Sequence, residues 1–112
     1  MQVFVHHLYE YKKGLRNLIL HTTKAEHEEA IIRKLENNGI DYLIQHIGEH
    51  KINVFFGAKD CVDVMSNFVH KSLTNLTDEE DFILGIMLGY DRLKQCERYL
   101  KRKSKEKLKV VC

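Results

Sequence analysis

Residues 41–57 read DYLIQHIGEHKINVFFG, and no other stretch restricts the fold as tightly. Two runs rich in β-branched and aromatic residues flank Gly48-Glu49-His50. A three-residue loop there sets Tyr42 opposite Phe56, Ile44 opposite Val54 and His46 opposite Ile52, while Gln45 meets Asn53 on the other face. A two-residue loop would set Ile44 against Asn53 and mix apolar with polar. A one-residue slip inverts both faces, so side-chain pattern decides the register. The chain must therefore contain an antiparallel hairpin, and the rest has to pack on it.

Upstream, residues 2–9 (QVFVHHLY) read as a strand, with Val3, Val5, His7 and Tyr9 on one face and Phe4, His6 and Leu8 on the other. Both faces are largely apolar, which predicts a covered, central position. Residues 10–15 predict a helical turn, and 17–22 (NLILHT) a short strand. Thr23-Lys24-Ala25-Glu26 has the form of a capping box. It predicts a helix with His27, Ile31 and Leu35 on one stripe, Ala30 beside it, and a stop at Asn38-Gly39.

Beyond the hairpin, residues 58–70 predict a helix with Cys61, Met65, Phe68 and Val69 facing inward, and 72–76 a loop. Thr77-Asp78-Glu79-Glu80 is a second capping-box pattern, and its extra carboxylates suit a helix start. Two helices then follow, joined at Gly89-Tyr90, with Asp91 capping the second. Phe82, Ile83, Ile86 and Met87 form the apolar face of the first. Leu93, Cys96, Tyr99 and Leu100 form the inner stripe of the second. From Ser104 the chain reads as a basic, frayed tail.

The prediction is an α+β fold: a small antiparallel sheet of three strands, with room for a fourth, about five helices packed on it, and a C-terminal αα-hairpin. A chain of 112 residues suits one domain, placed at 1–103, with 104–112 as the tail. That size buries a real core without disulfides or metal.

Charge bears on function more than composition does. The net charge is +2. Yet residues 78–91 carry five acidic side chains and no basic one, and 92–109 carry nine basic residues against Glu97 and Glu106. Attraction to an acidic partner would therefore centre on the C-terminal helix. The docking candidates are Arg92, Lys94, Arg98, Lys101 and Arg102, with Tyr90 at the turn as an aromatic anchor. A helix-turn-helix reading of the pair is disfavoured: Gln95 and Arg98 stand where such a motif wants apolar packing, and Asp91 would face phosphate. The alternative is a hairpin whose charges suit the helix dipoles. Gly85-x-x-x-Gly89 allows close helix approach, within the chain or between copies.

Seven histidines invite a metal reading: His6, His7, His21, His27, His46, His50 and His70. His46 and His50 flank one loop, but no HxxxH on a helix and no CxxC supports convergence of three or four ligands. Cys61, Cys96 and Cys112 are widely spaced and form no disulfide framework. Cys61 and Cys96 read as small core residues. No phosphate-binding glycine loop, catalytic constellation or cofactor motif is present. The N-terminus lacks a signal-peptide pattern, and no apolar run is long enough to span a membrane. A reducing cytoplasm and a non-enzymatic role are the expectations.

The segments HHLYEYKKGLRNLILHT (6–22), GIDYL (39–43), KINVFFG (51–57) and DEEDFILGIMLGYDRLKQCERYL (78–100) resemble a small bacterial family known as a domain of unknown function, numbered twenty twenty-three. The resemblance covers about residues 2–103. It implies a compact α+β domain with three strands and about five helices, which weighs against a fourth strand at 17–22. It also implies a homodimer and an association with flavodoxin, which is encoded beside or fused to relatives. It carries no catalytic residues. Flavodoxins are generally acidic around their flavin, so a basic C-terminal helix would steer a weak, salt-sensitive encounter.

Overall fold

The structure is a computed structural model that describes residues 1–69 and 72–111, with side chains through Lys105. The chain packs as two compact units, residues 1–70 and 71–112.

The first unit is built on a three-stranded antiparallel sheet of β1 (Leu18–Lys24), β2 (Asp41–Ile47) and β3 (Lys51–Gly57), in the order β1-β3-β2. The hairpin has the register its pattern demands: Tyr42 faces Phe56, Ile44 faces Val54, Gln45 faces Asn53 and His46 faces Ile52. β3 is central and buried from Ile52 to Gly57, because both its faces are covered. Ile19, Ile52, Val54 and Phe56 share one face with Phe4, Leu8, Ile31 and Leu35 from the helices α1 (Gln2–Lys12) and α2 (Glu28–Asn37). The short helix α3 (Lys59–Met65) lies against β2 and β3 and buries Val62 and Met65.

The other sheet face carries a polar chain that leaves no buried amide unsatisfied. Thr22 Oγ1 donates to Asn53 Oδ1 at 2.6 Å. Asn53 Nδ2 donates to Gln45 Oε1 at 2.9 Å, and Gln45 Nε2 donates to the Val69 carbonyl at 2.9 Å. Buried Asn53 is thus bridged to both neighbouring strands, which favours this register over its slips.

The strand predicted at 2–9 is instead helix α1. As a helix it sends Phe4, Leu8 and Tyr11 to one side, at i, i+4 and i+7. Phe4 stacks on Phe56 with ring centroids 5.5 Å apart. The apolar residues that made both strand faces look covered, Val3, Val5 and Tyr9, are exposed on the far side. The strand predicted at 17–22 is real and becomes β1, extended to Lys24. The sheet therefore has three strands, with 18–24 at one edge and the central place, expected for 2–9, taken by β3.

Thr23 caps no helix. It pairs with Ile52 in the sheet, a single 3-10 turn follows at Ala25–His27, and α2 begins only at Glu28 without a side-chain cap. Strand pairing outcompetes the local cap, and the neighbouring Thr22 hydroxyl is committed to Asn53. Ile31 and Leu35 face the core as predicted, whereas Ala30 is exposed. Gly39 ends α2 with φ +66°, and Ile40 N–H returns to the Leu35 carbonyl at 3.0 Å. The helix predicted over 58–70 is shorter. It stops at Met65, Val62 rather than Cys61 faces inward, Phe68 and Val69 are half-buried beyond it, and His70 lies outside the described residues.

The second unit is the αα-hairpin of α4 (Asp78–Met87) and α5 (Arg92–Val111), preceded by a 3-10 turn at Leu73–Asn75. The capping box at its start is complete: Glu80 N–H donates to Thr77 Oγ1 at 3.1 Å, and Thr77 N–H donates to Glu80 Oε1 at 2.9 Å. Gly89, with φ +80°, closes α4, and Lys94 N–H donates to Asp91 Oδ2 at 3.0 Å to start α5. The backbone from Ser104 to Val111, read as a frayed tail, continues the helix.

Candidate functional site

The hairpin is where the sequence concentrates its charge, and antiparallel packing decides what becomes of it. α4 begins with Asp78, Glu79, Glu80 and Asp81, a placement favoured by the positive end of the helix dipole. Folding back brings residues 98–103 of α5 alongside that acidic turn. Arg98 grips Asp81 with two parallel hydrogen bonds, Nε to Oδ2 at 2.8 Å and a terminal nitrogen to Oδ1 at 3.1 Å. Arg102 bridges Asp78 at 2.8 Å and Asp81 at 3.1 Å. Lys103 pairs with Glu79 at 2.9 Å, and the Tyr99 hydroxyl donates to the same carboxylate at 2.7 Å.

These contacts set the protonation states. The hydrogen bonds from Lys103 and Tyr99 pull the Glu79 carboxyl down to about 2. The Arg98 hydrogen bond, helped by the charges of Arg98 and Arg102, holds Asp81 below the ordinary carboxylate value and outweighs burial, the next-largest effect, which pushes the other way. Tyr99 is raised, chiefly because its hydroxyl proton is committed to Glu79.

The six docking candidates therefore divide. Arg98 and Arg102 are tied to α4. Arg92, Lys94 and Lys101 are exposed and have no ion pair among the described residues, and Tyr90 is exposed at the turn. Gln95 is spent on the close crossing that Gly85 allows. A Cβ built on Gly85 would overlap the Gln95 side chain, so the small residue serves an intramolecular approach.

One side of the hairpin is apolar and open. Phe82 and Tyr99 touch with ring centroids 5.5 Å apart. Together with Ile83, Cys96 and Leu100, and Glu79 at one end, they line a groove of about 440 Å³. The inner stripe predicted for α5 is only partly inner. Cys96 and Tyr99 are half-buried, but Leu93 and Leu100 are 66% and 62% exposed. On α4, Phe82 and Met87 are half-buried, whereas Ile83 and Ile86 are exposed. Helical spacing identified the stripe but not which of its members the hairpin itself half-buries.

The histidines are dispersed. His46 Nε2 lies 2.7 Å from Glu28 Oε1, and exposed His50 lies 3.9 Å from Glu49. Among the described residues no group of three or more His, Cys, Asp or Glu side chains is placed to hold a metal ion. His7 of α1 and His21 of β1 do meet, ring centroids 5.5 Å apart, a pair the sequence reading did not single out. His21 is buried, and burial first, then His7, the chain's amino terminus and His27, push its pKa below the usual value. His7 Nδ1 is buried without a hydrogen bond, 3.5 Å from Glu10 Oε1. Cys61 and Cys96 are free and half-buried.

Compared with known families, residues 2–102 match the one described as Protein of unknown function (DUF2023). The chain belongs to the DUF2023 family. The match takes in both units of the DUF2023 chain and ends within α5, nine residues before the last described position. No curated protein matches it. Among the described residues no helix is long and apolar enough to cross a membrane.

Proposed function

We propose that this DUF2023 protein is a non-enzymatic accessory module of the cytoplasm that works as a homodimer and docks an acidic redox protein, flavodoxin, through α5. The supporting observation is that Arg92, Lys94 and Lys101 remain exposed without an ion pair among the described residues, beside exposed Tyr90. Arg98 and Arg102 contribute less, because a partner would first have to replace Asp81 and Asp78. Flavodoxin enters through the family resemblance, and free Cys61 and Cys96 suit a reducing compartment.

The test is an NMR titration of labelled protein with the same organism's flavodoxin at low and moderate salt. The reading expects shifts at residues 88–103 that weaken as salt rises. It further expects that reversing charge at Arg92, Lys94 and Lys101 abolishes them. Unchanged affinity in that triple variant overturns the docking face, and no shifts at either salt overturn the partner.

A further inference from the structure

We infer that the His7–His21 contact is a pH-sensitive latch: proton uptake at this pair releases α1 from β1 ahead of the rest of the first unit and uncovers the Phe56 face of the sheet.

His21 of β1 is buried, and its ring has two aromatic neighbours from α1, Phe4 with centroids 5.6 Å apart and His7 with centroids 5.5 Å apart. On β3 its cross-strand partner is Val54, with Ile52 and Phe56 on the same face. From α2, Ile31 and Leu35 close the same core. The ionisable groups that act on His21 are His7 and the amino terminus on the α1 side and His27 on the 3-10 turn, all of them bases. The nearby carboxylates face other rings: Glu10 lies 3.6 Å from His6 and 3.5 Å from His7, and Glu26 lies 3.8 Å from His27. A proton on His21 thus meets apolar walls and other bases in the closed form, and water in the open one. Opening also hydrates His7 Nδ1, which is buried without a hydrogen bond.

The element that gives way is α1. Both ring neighbours of His21 belong to it, whereas β1 is held by a ladder to β3 from Leu18 to Lys24 that does not involve α1. The helix is also weak by itself. It has 11 residues, no side-chain cap and no acidic residue in its first turn. Val3, Val5, His6, His7 and Tyr9 are weak helix formers, and a helix this short is marginal in water. Off the sheet, α1 loses its backbone hydrogen bonds.

Below pH 6.5, the ordinary histidine value, the open form takes up a proton that the closed form resists. Its population then grows by up to about tenfold per pH unit, which sets a ceiling of about 30-fold by pH 5.0. Unfolding the whole unit frees His21 equally, so pH acts on both openings alike. The mark of a latch is that α1 opens first.

The experiment is amide hydrogen exchange followed by NMR on the full chain at pH 7.5 and 5.0, corrected for intrinsic exchange at each pH. The amides of α1 should be at least about tenfold less protected than those of β3 at both values. Their protection should fall about threefold or more by pH 5.0, up to the 30-fold ceiling, and the fall should vanish in His21→Leu. Equal protection of α1 and β3 overturns release ahead of the unit. A smaller fall in the wild type, or an undiminished fall in His21→Leu, overturns the role of His21. The ring resonance of His21 in the wild type is the readout that needs no variant: it should titrate below pH 6.5, over the range in which α1 loses protection. A ring that titrates as an ordinary histidine while α1 stays protected overturns the latch.

Discussion

Gly85→Ala sets two effects of opposite sign against each other. Alanine in a helix interior is favoured over glycine by about 0.8–1.0 kcal/mol. At Gly85, however, the added methyl would occupy the space of the Gln95 side chain, whose Oε1, Cδ and Cγ are the three nearest atoms to it. The obstruction is the end of a flexible, half-buried side chain rather than backbone, so Gln95 can turn aside at a cost of about 0.5–1.5 kcal/mol. The single variant should therefore stay within about 1 kcal/mol of the wild type. With Gln95→Ala the obstructing side chain is gone, and Gly85→Ala should become stabilising by about 1 kcal/mol. Urea unfolding followed by helical circular dichroism on all four chains gives the cycle, with an expected coupling of about 0.5–1.5 kcal/mol. Equal stabilisation by Gly85→Ala in both backgrounds would refute the reasoning that Gln95 is held against Gly85.

Three further outcomes are expected. Phe4→Ala should cost about 3–5 kcal/mol in urea unfolding, because Phe4 is fully buried and joins α1 to both Phe56 and His21; a cost below about 1 kcal/mol would contradict α1's docking. Thr77→Ala should lose about 1 kcal/mol of stability by breaking the capping box, while Thr23→Ala loses no cap. Acidification should weaken the fold in two windows. His21, depressed by burial, binds its proton more readily unfolded, so stability is full above pH 6.5 and falls below it by at most about 1.4 kcal/mol per pH unit. Glu79, lowered from 4.5 to about 2, protects stability above pH 4.5 and loses that contribution as pH falls towards 2. A His21→Leu chain that kept the first slope would show that another group carries it.

The parts legible in the sequence were those decided by local pattern. The 41–57 hairpin has a period of two, a short loop and one polar pair, Gln45 with Asn53, so only one register satisfies every side chain. Thr77 sits before four carboxylates with no strand competing for it, and its capping box forms. The failures came where a distant partner decided. Thr23 has the same box spacing, but β3 is available to pair with it, and a ladder takes precedence over a cap. Residues 2–9 are rich in valine, histidine and tyrosine, which favours strand. The core needed Phe4, Leu8 and Tyr11 on one side, which only a helix supplies. His7 and His21 meet because α1 is helical and lies against β1, which no spacing within either segment reveals.

The charge of α5 shows the same dependence on a partner. Taken along the chain, residues 92–109 look like one strongly basic surface. The antiparallel turn at Gly89 places Asp78, Glu79 and Asp81 against Arg98, Arg102 and Lys103, so much of that charge is compensated within the hairpin. What remains is narrower: Arg92, Lys94 and Lys101, exposed and without an ion pair among the described residues. Lys101→Glu should therefore weaken binding of an acidic partner directly, whereas Arg98→Gln, whose guanidinium is already held by Asp81, should weaken it less. Titration of the two variants against that partner checks this, and an equal loss in both would return Arg98 to the docking face.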